Sequence, residues 1–409
     1  MVPAGIDNVP GGTTQAITID DNGRPQRIKT TSATQTFVDL TYDYASAGKD
    51  TTKIRTRTDN ITKLKTSYTY DSQDRLSYAL EADAAGARKA SWLYCWDKAG
   101  NLTSRDGSKN TCPGGTTYTY NDASELTGKN GSTTGWSYDK LGNETAAADN
   151  APRTGESWTD YSQLAGITAG GRTYDLAHAG TSNYERTKLG STWFHHTAFG
   201  LASTTTNGVD TGFIREPSGT LNSMTTGGKS YYYLTDATGN VLGLVYDAGK
   251  RTHTYAYGPT GLPRTTPTEA VLQPYRYAGA YADPTGLYKM GHRYYDPTLG
   301  RFTQPDPSGQ ETNPYLYAAG DPVNRTDPTG LFSFSGILDT GSKIFGVVSG
   351  CVSGIGAAAS TGTIQYAAVV GGVVGAGVGS AVGAGAAVVG SCAVGGVAGY
   401  YGADIITYG

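Results

Sequence analysis

A short motif recurs along the chain and constrains the fold more than any other feature. In each copy an aromatic residue is followed by Asp or Asn, a turn and often a Gly-Asn pair. From Asp71 the Asp or Asn position recurs at residues 97, 121 and 139, so each unit has room for two strands and two turns. The copies begin at Tyr42, Tyr68, Tyr94, Tyr118, Trp136 and Tyr233.

The residue types of this motif predict a β-hairpin with one aromatic face. Side chains alternate along a strand, so a Tyr-x-Tyr pair places two rings on the same face. Asp favours the start of a tight turn, and Gly-Asn favours the positive-φ positions of a hairpin. One hairpin cannot bury such a face, so the units must stack side by side. We therefore predict an all-β body in which residues 36–331 form one continuous hairpin sheet; whether the sheet encloses a volume or forms an open solenoid or sandwich stays open.

These units resemble the YD repeats, also called RHS repeats. The segment from Tyr275 to Leu331, which contains YRYAGAYADPTGLYKMGHRYYDP, resembles the RHS repeat-associated core. Proteins of this family include bacterial polymorphic toxins, the C component of insecticidal toxin complexes and the distantly related teneurins. The resemblance implies a strip of hairpins that spirals into a shell, a core that closes one end, and a variable C-terminal segment held as cargo.

Four parts of the chain follow from the repeats and the resemblance: a partly disordered N-terminal lead-in at 1–35, YD/RHS repeats at 36–274, the core with an autoproteolytic motif at 275–331, and a variable C-terminal segment at 332–409. The N-terminal residues lack the basic and apolar regions of a signal peptide. We expect a secreted or cell-surface protein that uses another route, or the tail of a longer product.

Two Asp-Pro-x-Gly quartets end the core. Asp306 begins DPSG, and after seventeen intervening residues Asp327 begins DPTGL. In the family the same pair of motifs precedes a cut after the leucine, and the spacing here is one residue shorter. The resemblance therefore implies self-cleavage between Leu331 and Phe332. It also places the family's essential arginine and aspartate at Arg293 and Asp306.

The chemistry of this cleavage needs a base that acts on water and a group that polarises the carbonyl. We expect Asp306 to activate water, Arg293 to keep a carboxylate ionised or bind the oxyanion, and Asp327 or Asp296 to supply the second carboxyl. This aspartyl-type self-cleavage is the enzymatic activity that the sequence suggests. A lone quartet is also an ordinary turn, and a third one at Asp283 is expected to be only that.

The C-terminal segment changes character abruptly. Between Lys343 and Asp404 lie sixty consecutive residues without a charged side chain or histidine. A membrane span needs about twenty apolar residues. Small residues recur at intervals of four, which lets helices pack closely in lipid. We predict a short α-helical glycine zipper that inserts into membranes, packed through Gly346, Gly350, Gly354, Gly371, Gly375, Gly379, Gly383, Gly395 and Gly399.

Other interpretations of this segment stay open. It contains three charged residues and no histidine, too few groups for acid-base catalysis or metal binding, which argues against an enzymatic effector. A flexible low-complexity stretch, an inert remnant and a β-aggregating segment are the alternatives.

Composition also limits cofactors and partners. The net charge of −3 makes nucleic acid an unlikely partner. The four cysteines and five histidines show no metal-ligand spacing, so neither a metal nor a cofactor is expected, and a chain of this length does not require a disulfide scaffold.

Two functions of different class remain. The first is a toxin carrier that releases a pore-forming effector onto a target-cell membrane, with a cognate immunity protein and a secretion-system or carrier partner. The second is a cell-surface or carbohydrate-binding YD-repeat protein with a C-terminal membrane anchor.

Overall fold

The structure is a computed structural model that describes residues 4–9, 13–149, 152–197, 200–216, 219–246 and 249–331, and beyond them the backbone of four short strands. The described residues are nearly all β, and no α-helix is among them. The prediction of an all-β body is therefore confirmed. The chain divides into two compact units, one formed by 1–192 with 229–340 and the other by 193–228 with 341–409.

The first unit begins with an eleven-stranded sheet, in which each strand pairs with the next one of the sheet, and with a small separate hairpin formed by β5 and β6. In chain order the elements are β1 (Ala4–Val9), β2 (Thr13–Ile19), β3 (Pro25–Ser32), β4 (Thr36–Asp43), β5 (Ala45–Ser46), β6 (Lys49–Asp50), β7 (Thr56–Asp59), β8 (Leu64–Tyr70), β9 (Leu76–Ala82), β10 (Arg88–Trp96), β11 (Leu102–Asp106), β12 (Thr116–Tyr120) and β13 (Leu126–Lys129).

The next strands form further antiparallel hairpins. They are β14 (Ser137–Tyr138), β15 (Glu144–Ala146), β16 (Arg153–Trp158), β17 (Leu164–Ala169), β18 (Arg172–His178) and β19 (Arg186–Leu189). Strand β20 (Thr192–Thr197) follows and lies, apart from Thr192, in the second unit. The second unit contains a meander of β21 (Gly200–Thr206), β22 (Val209–Arg215) and β23 (Leu221–Thr226). The first unit resumes with β24 (Lys229–Thr235), β25 (Val241–Tyr246) and β26 (Lys250–Thr254).

The core segment forms small sheets and two turns of 3-10 helix, Tyr277–Gly279 and Ala318–Gly320. Its strands are β27 (Tyr281–Ala282), β28 (Tyr288–Met290), β29 (Arg293–Asp296), β30 (Arg301–Phe302), β31 (Arg325–Thr326) and β32 (Phe334–Ser335). The prediction of one continuous sheet is wrong, because β13 ends one sheet, β14 and β15 pair separately, and the core has a four-stranded sheet of its own. Short strands and turns within the core interrupt the ladder.

The N-terminal lead-in, predicted to be partly disordered, contains paired strands in its described residues. Strands β2 and β3 pair along seven positions, and β3 continues into β4 of the same sheet. Ile28 is buried in the aromatic and aliphatic core that the first repeats share, and Ile17 packs against it. Alternating Thr and Ile residues suit such a half-buried strand, so this segment extends the repeat sheet.

An Asp or Asn closes a five-residue turn in the repeats that begin at Tyr68, Tyr94, Tyr118, Trp136 and Tyr233. In the turn that begins at Asp139, one carboxylate oxygen, Oδ1, accepts the backbone N–H of Leu141 at 2.8 Å and that of Asn143 at 2.9 Å. Gly142 has a φ of +82°, as predicted for a hairpin turn. Asn143, predicted to share this conformation, instead donates from its side chain to Asp139 Oδ2 at 2.8 Å. The Asn therefore braces the carboxylate rather than supplying a second positive-φ residue.

The aromatic residues join each repeat to the repeat before it. Tyr68 and Tyr118 are buried in the shared core. The second tyrosine of each pair donates a hydrogen bond to a backbone carbonyl of the preceding repeat. Tyr70 Oη donates to Ile54 O at 2.7 Å, and Tyr120 Oη donates to Leu102 O at 2.9 Å. A buried aromatic with a satisfied polar tip contributes both packing area and a hydrogen bond.

The core segment runs across the turns of successive repeats in the same unit. Each contact joins a core side chain to a different repeat. The pairs are Asn324 Nδ2 with Tyr70 Oη at 2.8 Å, Asn313 Nδ2 with Asn101 Oδ1 at 2.8 Å, Arg301 Nη2 with Ser124 O at 2.7 Å and Tyr315 Oη with Gly142 O at 2.7 Å.

After β32, three more strands are described in the C-terminal segment: β33 (Ile364–Val370), β34 (Val373–Gly377) and β35 (Val388–Gly390). At these positions the backbone is extended, unlike the predicted helix, and β-branched Val and Ile favour strands. The predicted packing residue Gly375 lies in β34. The other eight predicted zipper glycines lie outside the described residues. They are Gly346, Gly350, Gly354, Gly371, Gly379, Gly383, Gly395 and Gly399.

A search of the described part of the chain finds no helix that is long and apolar enough to cross a membrane.

Candidate self-cleavage site

The predicted cleavage site lies in the connection between two paired strands. Strand β31 pairs with β32 through Arg325 with Ser335 and Thr326 with Phe334. The DPTGL sequence occupies the first part of this connection, and Leu331 is half-buried. Phe332, on the other side of the predicted cut, lies outside the described residues.

Tight backbone packing holds the residues just before Leu331. The N–H of His292 donates to Thr329 O at 2.8 Å. Gly330 has a φ of +64°, and a Cβ at this position would overlap Met290 O and come within 2.8 Å of Arg293 N. Because any side chain would be excluded here, the final glycine of the quartet allows this close approach.

Arg293 is fully buried and binds three segments of backbone and side chain. Its Nε donates to Gly330 O at 2.5 Å, Nη1 donates to Pro314 O at 2.9 Å, and Nη2 pairs with Asp327 Oδ2 at 3.0 Å. Burial lowers the pKa of Arg293, while the charge of Asp327 opposes that change. The guanidinium of Arg293 therefore contacts the carbonyl of Gly330, one residue before the predicted cut. It also pairs with the Asp327 carboxylate, as in the first of the two roles that the sequence suggests for Arg293.

Asp327 contacts the residue whose peptide bond is predicted to break. Its Oδ1 accepts the N–H of Leu331 at 3.2 Å and the hydroxyl of Thr329 at 3.2 Å. Burial raises the pKa of Asp327 to about 6, although Arg293 and these hydrogen bonds favour the ionised form. The carboxyl can thus change its protonation state just below neutral pH.

Asp306 reaches Leu331 through a serine that the sequence reasoning missed. Ser308 donates its N–H to Asp306 Oδ1 at 2.9 Å, and its Oγ lies 2.7 Å from Asp306 Oδ2. The same Oγ lies 2.9 Å from the carbonyl oxygen of Leu331. The sequence signal was the variable third position of the first quartet, where Ser can hydrogen-bond to the preceding Asp.

Asp296, the alternative second carboxyl, lies elsewhere. Its Oδ2 is 2.8 Å from Arg153 Nη2, and its Oδ1 accepts the N–H of Thr298 at 2.7 Å. Residues three apart in a strand point to opposite faces, so Arg293 and Asp296 of β29 face away from each other. Of the two predicted alternatives, the structure brings Asp327 to Arg293.

All three quartets form the same turn, as predicted for the sequence Asp-Pro-x-Gly. The Gly N–H donates to the Asp carbonyl at 3.0 Å for Asp283, 3.2 Å for Asp306 and 3.4 Å for Asp327. The carboxylates differ in their partners. Asp283 is held by Arg186 through contacts of 2.5 and 2.8 Å. The turn conformation therefore does not distinguish the candidate cleavage site from the turn at Asp283. The residues around the turns do.

The described residues contain a disulfide but no cluster of metal ligands. The structure contains a disulfide between Cys95 and Cys112, which sequence spacing did not predict. The two residues meet because β10 and the loop after β11 are adjacent. Within the described ranges, His, Cys, Asp and Glu side chains form no group of three that could hold a metal ion.

Parts of this chain are similar to known proteins. No family model matches the chain. The tRNA3(Ser)-specific nuclease WapA of Bacillus spizizenii is 30% identical over 259 residues, which cover 58% of this chain and 11% of the nuclease. Toxin protein Tse5 of Pseudomonas aeruginosa is 47% identical over 62 residues, which cover 14% of this chain and 5% of the toxin.

The same fold is found in a solved structure, the Tc holotoxin pore of Photorhabdus luminescens, which contains a TccC3 variant. The TM-score is 0.61 at 17% identity, over 80% of this chain and 19% of that one. The chain is therefore similar to these proteins in sequence and to this toxin structure in fold. Tse5 is named as a toxin and WapA as a tRNA nuclease, and the chain spans about a tenth or less of the length of each.

Proposed function

We propose that this RHS protein is a polymorphic toxin carrier that cuts itself between Leu331 and Phe332 and so releases its C-terminal segment. The observation that carries the proposal is the set of contacts at Leu331. Its N–H is held by Asp327 and its carbonyl oxygen by Ser308, which also contacts Asp306. The similarity to toxins supports the carrier role.

The reaction is hydrolysis of one peptide bond by carboxyl chemistry. Asp306 acts as the base that takes a proton from water, and the water oxygen bonds to the carbonyl carbon of Leu331. Asp327, anchored by Arg293, holds the N–H of Leu331, and Ser308 contacts the carbonyl oxygen of the same residue, so the residue before the cut is held on both sides. The exposed position of Ser308 leaves the site open to solvent water.

Strand pairing explains why the products can stay together. Backbone pairing between β31 and β32 joins residues on both sides of the cut. Hydrolysis leaves these hydrogen bonds in place, so the fragments 1–331 and 332–409 remain associated until β32 separates from β31.

The released segment is proposed to act on the target-cell membrane. Its sixty uncharged residues suit lipid better than water, and its small residues allow close packing there. Hydrocarbon forces the backbone to satisfy its own hydrogen bonds, so the structure in a bilayer is set by lipid. A cognate immunity protein would block this step in the producing cell, and a secretion system or carrier complex would deliver it.

The burial of the repeat tyrosines favours the carrier over a carbohydrate-binding surface protein. Sugar recognition by aromatic residues requires exposed ring faces. Tyr68 and Tyr118 are only 9% and 5% exposed, and the hydroxyls of Tyr70 and Tyr120 bind backbone carbonyls.

The self-cleavage is tested by cell-free synthesis of labelled full-length protein followed by intact-mass analysis. Wild type is expected to yield fragments 1–331 and 332–409. Asp306→Asn removes the base and should leave one uncut chain, whereas Asp122→Asn, at an exposed turn, should cut like wild type. An uncut wild type after long incubation would refute the proposal.

A further inference from the structure

Ser308 is placed to act on the bond that is proposed to break. Its hydroxyl oxygen lies 2.9 Å from the carbonyl oxygen of Leu331 and 2.7 Å from Asp306 Oδ2. Its backbone N–H is also held by Asp306. These two anchors on the same carboxylate fix the position of Ser308 although the residue is exposed.

A single proton serves these two contacts. An ionised carboxylate and a carbonyl oxygen are both acceptors, so the hydroxyl of Ser308 can donate fully to one of them at a time. With Asp306 ionised, the carboxylate is the stronger acceptor. Once Asp306 has taken a proton from water, it can donate to Ser308 Oγ. The hydroxyl proton is then free for the Leu331 oxygen, which carries negative charge at that moment.

We propose that Ser308 is a catalytic residue of the self-cleavage and donates the hydrogen bond that stabilises the oxyanion at Leu331. This inference rests on the proposed self-cleavage. The guanidinium of Arg293 is engaged by Gly330 O, Pro314 O and Asp327. In the described part of the chain, the side-chain hydrogen bond to Leu331 O comes from Ser308.

The step is balanced without a covalent intermediate. A water oxygen bonds to the Leu331 carbonyl carbon as a water proton moves to Asp306. The carbon–nitrogen bond to Phe332 then breaks, and the proton on Asp306 moves to the leaving amine. Leu331 ends as a carboxylic acid and Phe332 as a free amine. Ser308 keeps its O–H bond and stabilises charge only, and donors of this kind contribute about 10²–10³-fold to rate.

Three substitutions test this role in full-length protein, with cleavage followed after a short pulse of cell-free synthesis. Ser308→Ala removes the donor and should slow cleavage about 10²–10³-fold. Ser308→Thr retains a hydroxyl and should stay within about tenfold of wild type. Ser308→Cys offers a weak donor but a strong nucleophile, and it should be slow.

The outcomes separate this inference from the proposed function. Equal rates for wild type and Ser308→Ala would overturn the role of Ser308 and leave self-cleavage standing, as would a Thr variant as slow as the Ala variant. Fast cleavage by Ser308→Cys, with a thioester captured by hydroxylamine, would show a nucleophile instead of a donor. An uncut wild type would remove the proposed function and this inference together. Thermal melting confirms that the variants are folded.

Discussion

At the scale of single residues, buried charges connect the repeats to the core. Arg153 is 1% exposed and contacts three carboxylates: Glu144 at 2.6 Å, Asp296 at 2.8 Å and Glu156 at 3.2 Å. Burial raises the pKa of Glu144 and raises that of Glu156 further, since Glu144 adds repulsion, although Arg153 opposes both shifts. One guanidinium cannot neutralise three ionised groups, so Glu156 tends to keep its proton.

Glu156→Gln is expected to stabilise the protein at pH 8. The pKa of Glu156 is raised on folding, so its ionisation destabilises the folded state as pH rises above the ordinary glutamate range. Gln resembles the protonated acid and should raise the free energy of unfolding by about 1 kcal/mol at pH 8. The gain should shrink towards pH 4, where glutamate is protonated in both states. Melting temperatures at both pH values, with Asp122→Asn as an exposed control, measure this. An equal loss of stability at both pH values would contradict the assignment.

The pH dependence of self-cleavage should report Asp327. Its pKa is raised to about 6 by burial, and its ionised form both pairs with Arg293 and accepts the Leu331 N–H. The cleavage rate should be constant above pH 6 and fall about tenfold per pH unit below it. The measurement is a pulse of cell-free synthesis stopped with puromycin and diluted into buffers of different pH. Asp327→Asn should be slow and lack the inflection; a wild-type rate that is constant from pH 5 to 8 would exclude Asp327 from the reaction.

At the scale of elements, a carboxylate defines the repeat turns at Asp139 and Asp236. Asp139 accepts two backbone N–H groups and the side-chain amide of Asn143, and the turn docks on the core through Gly142 O and Tyr315. The same arrangement at Asp236 joins its Oδ1 to the N–H groups of Thr238 and Asn240. A short polar side chain therefore sets the hairpin geometry in different parts of the sheet system.

Asp139→Ala is expected to destabilise the protein by about 1–2 kcal/mol, the range seen when a capping side chain is removed. Asp139→Asn retains one side-chain oxygen acceptor and should lower the free energy of unfolding by less than Asp139→Ala does. The exposed neighbour Lys140→Ala is the matched control and should change stability by less than about 0.5 kcal/mol. Urea or thermal unfolding measures the differences. If the Ala and control variants unfold at the same midpoint, the carboxylate does not determine the turn.

At the scale of the whole molecule, the core combines two tasks. It contacts the turns of successive repeats through Asn324, Asn313, Arg301 and Tyr315, and it holds Leu331 between Asp327 and Ser308. Formation of the site therefore depends on the folded repeats of the same unit. Self-cleavage, if the proposal holds, should therefore follow folding, and the C-terminal segment should be separated only after the repeats have folded.

Cleavage should control membrane activity of the full-length protein. Dye release from vesicles is expected for wild type and should be weaker for the uncut Asp306→Asn. Leu at both Gly375 and Gly379 should preserve vesicle binding but reduce leakage, because bulky residues prevent close packing in lipid. Equal leakage by wild type and Asp306→Asn would show that membrane activity does not depend on cleavage at Leu331. Equal leakage by the double Leu variant would remove small-residue packing from the mechanism.

The sequence by itself determined the features that depend on neighbouring residues. Alternating aromatics and an Asp before a turn are local patterns, and they predicted the hairpins and their turns. The absence of charged residues between Lys343 and Asp404 is likewise evident from the sequence alone.

Only the tertiary structure decided which distant residues meet. Ser308 and Leu331 are twenty-three positions apart, Arg293 and Asp327 thirty-four, and no periodicity relates them. It also placed Asp296 with Arg153, joined Cys95 to Cys112 and divided the repeats into separate sheets. The physical reason is that turn chemistry acts over four or five residues, whereas these contacts depend on how the core crosses the repeats, which no local pattern encodes.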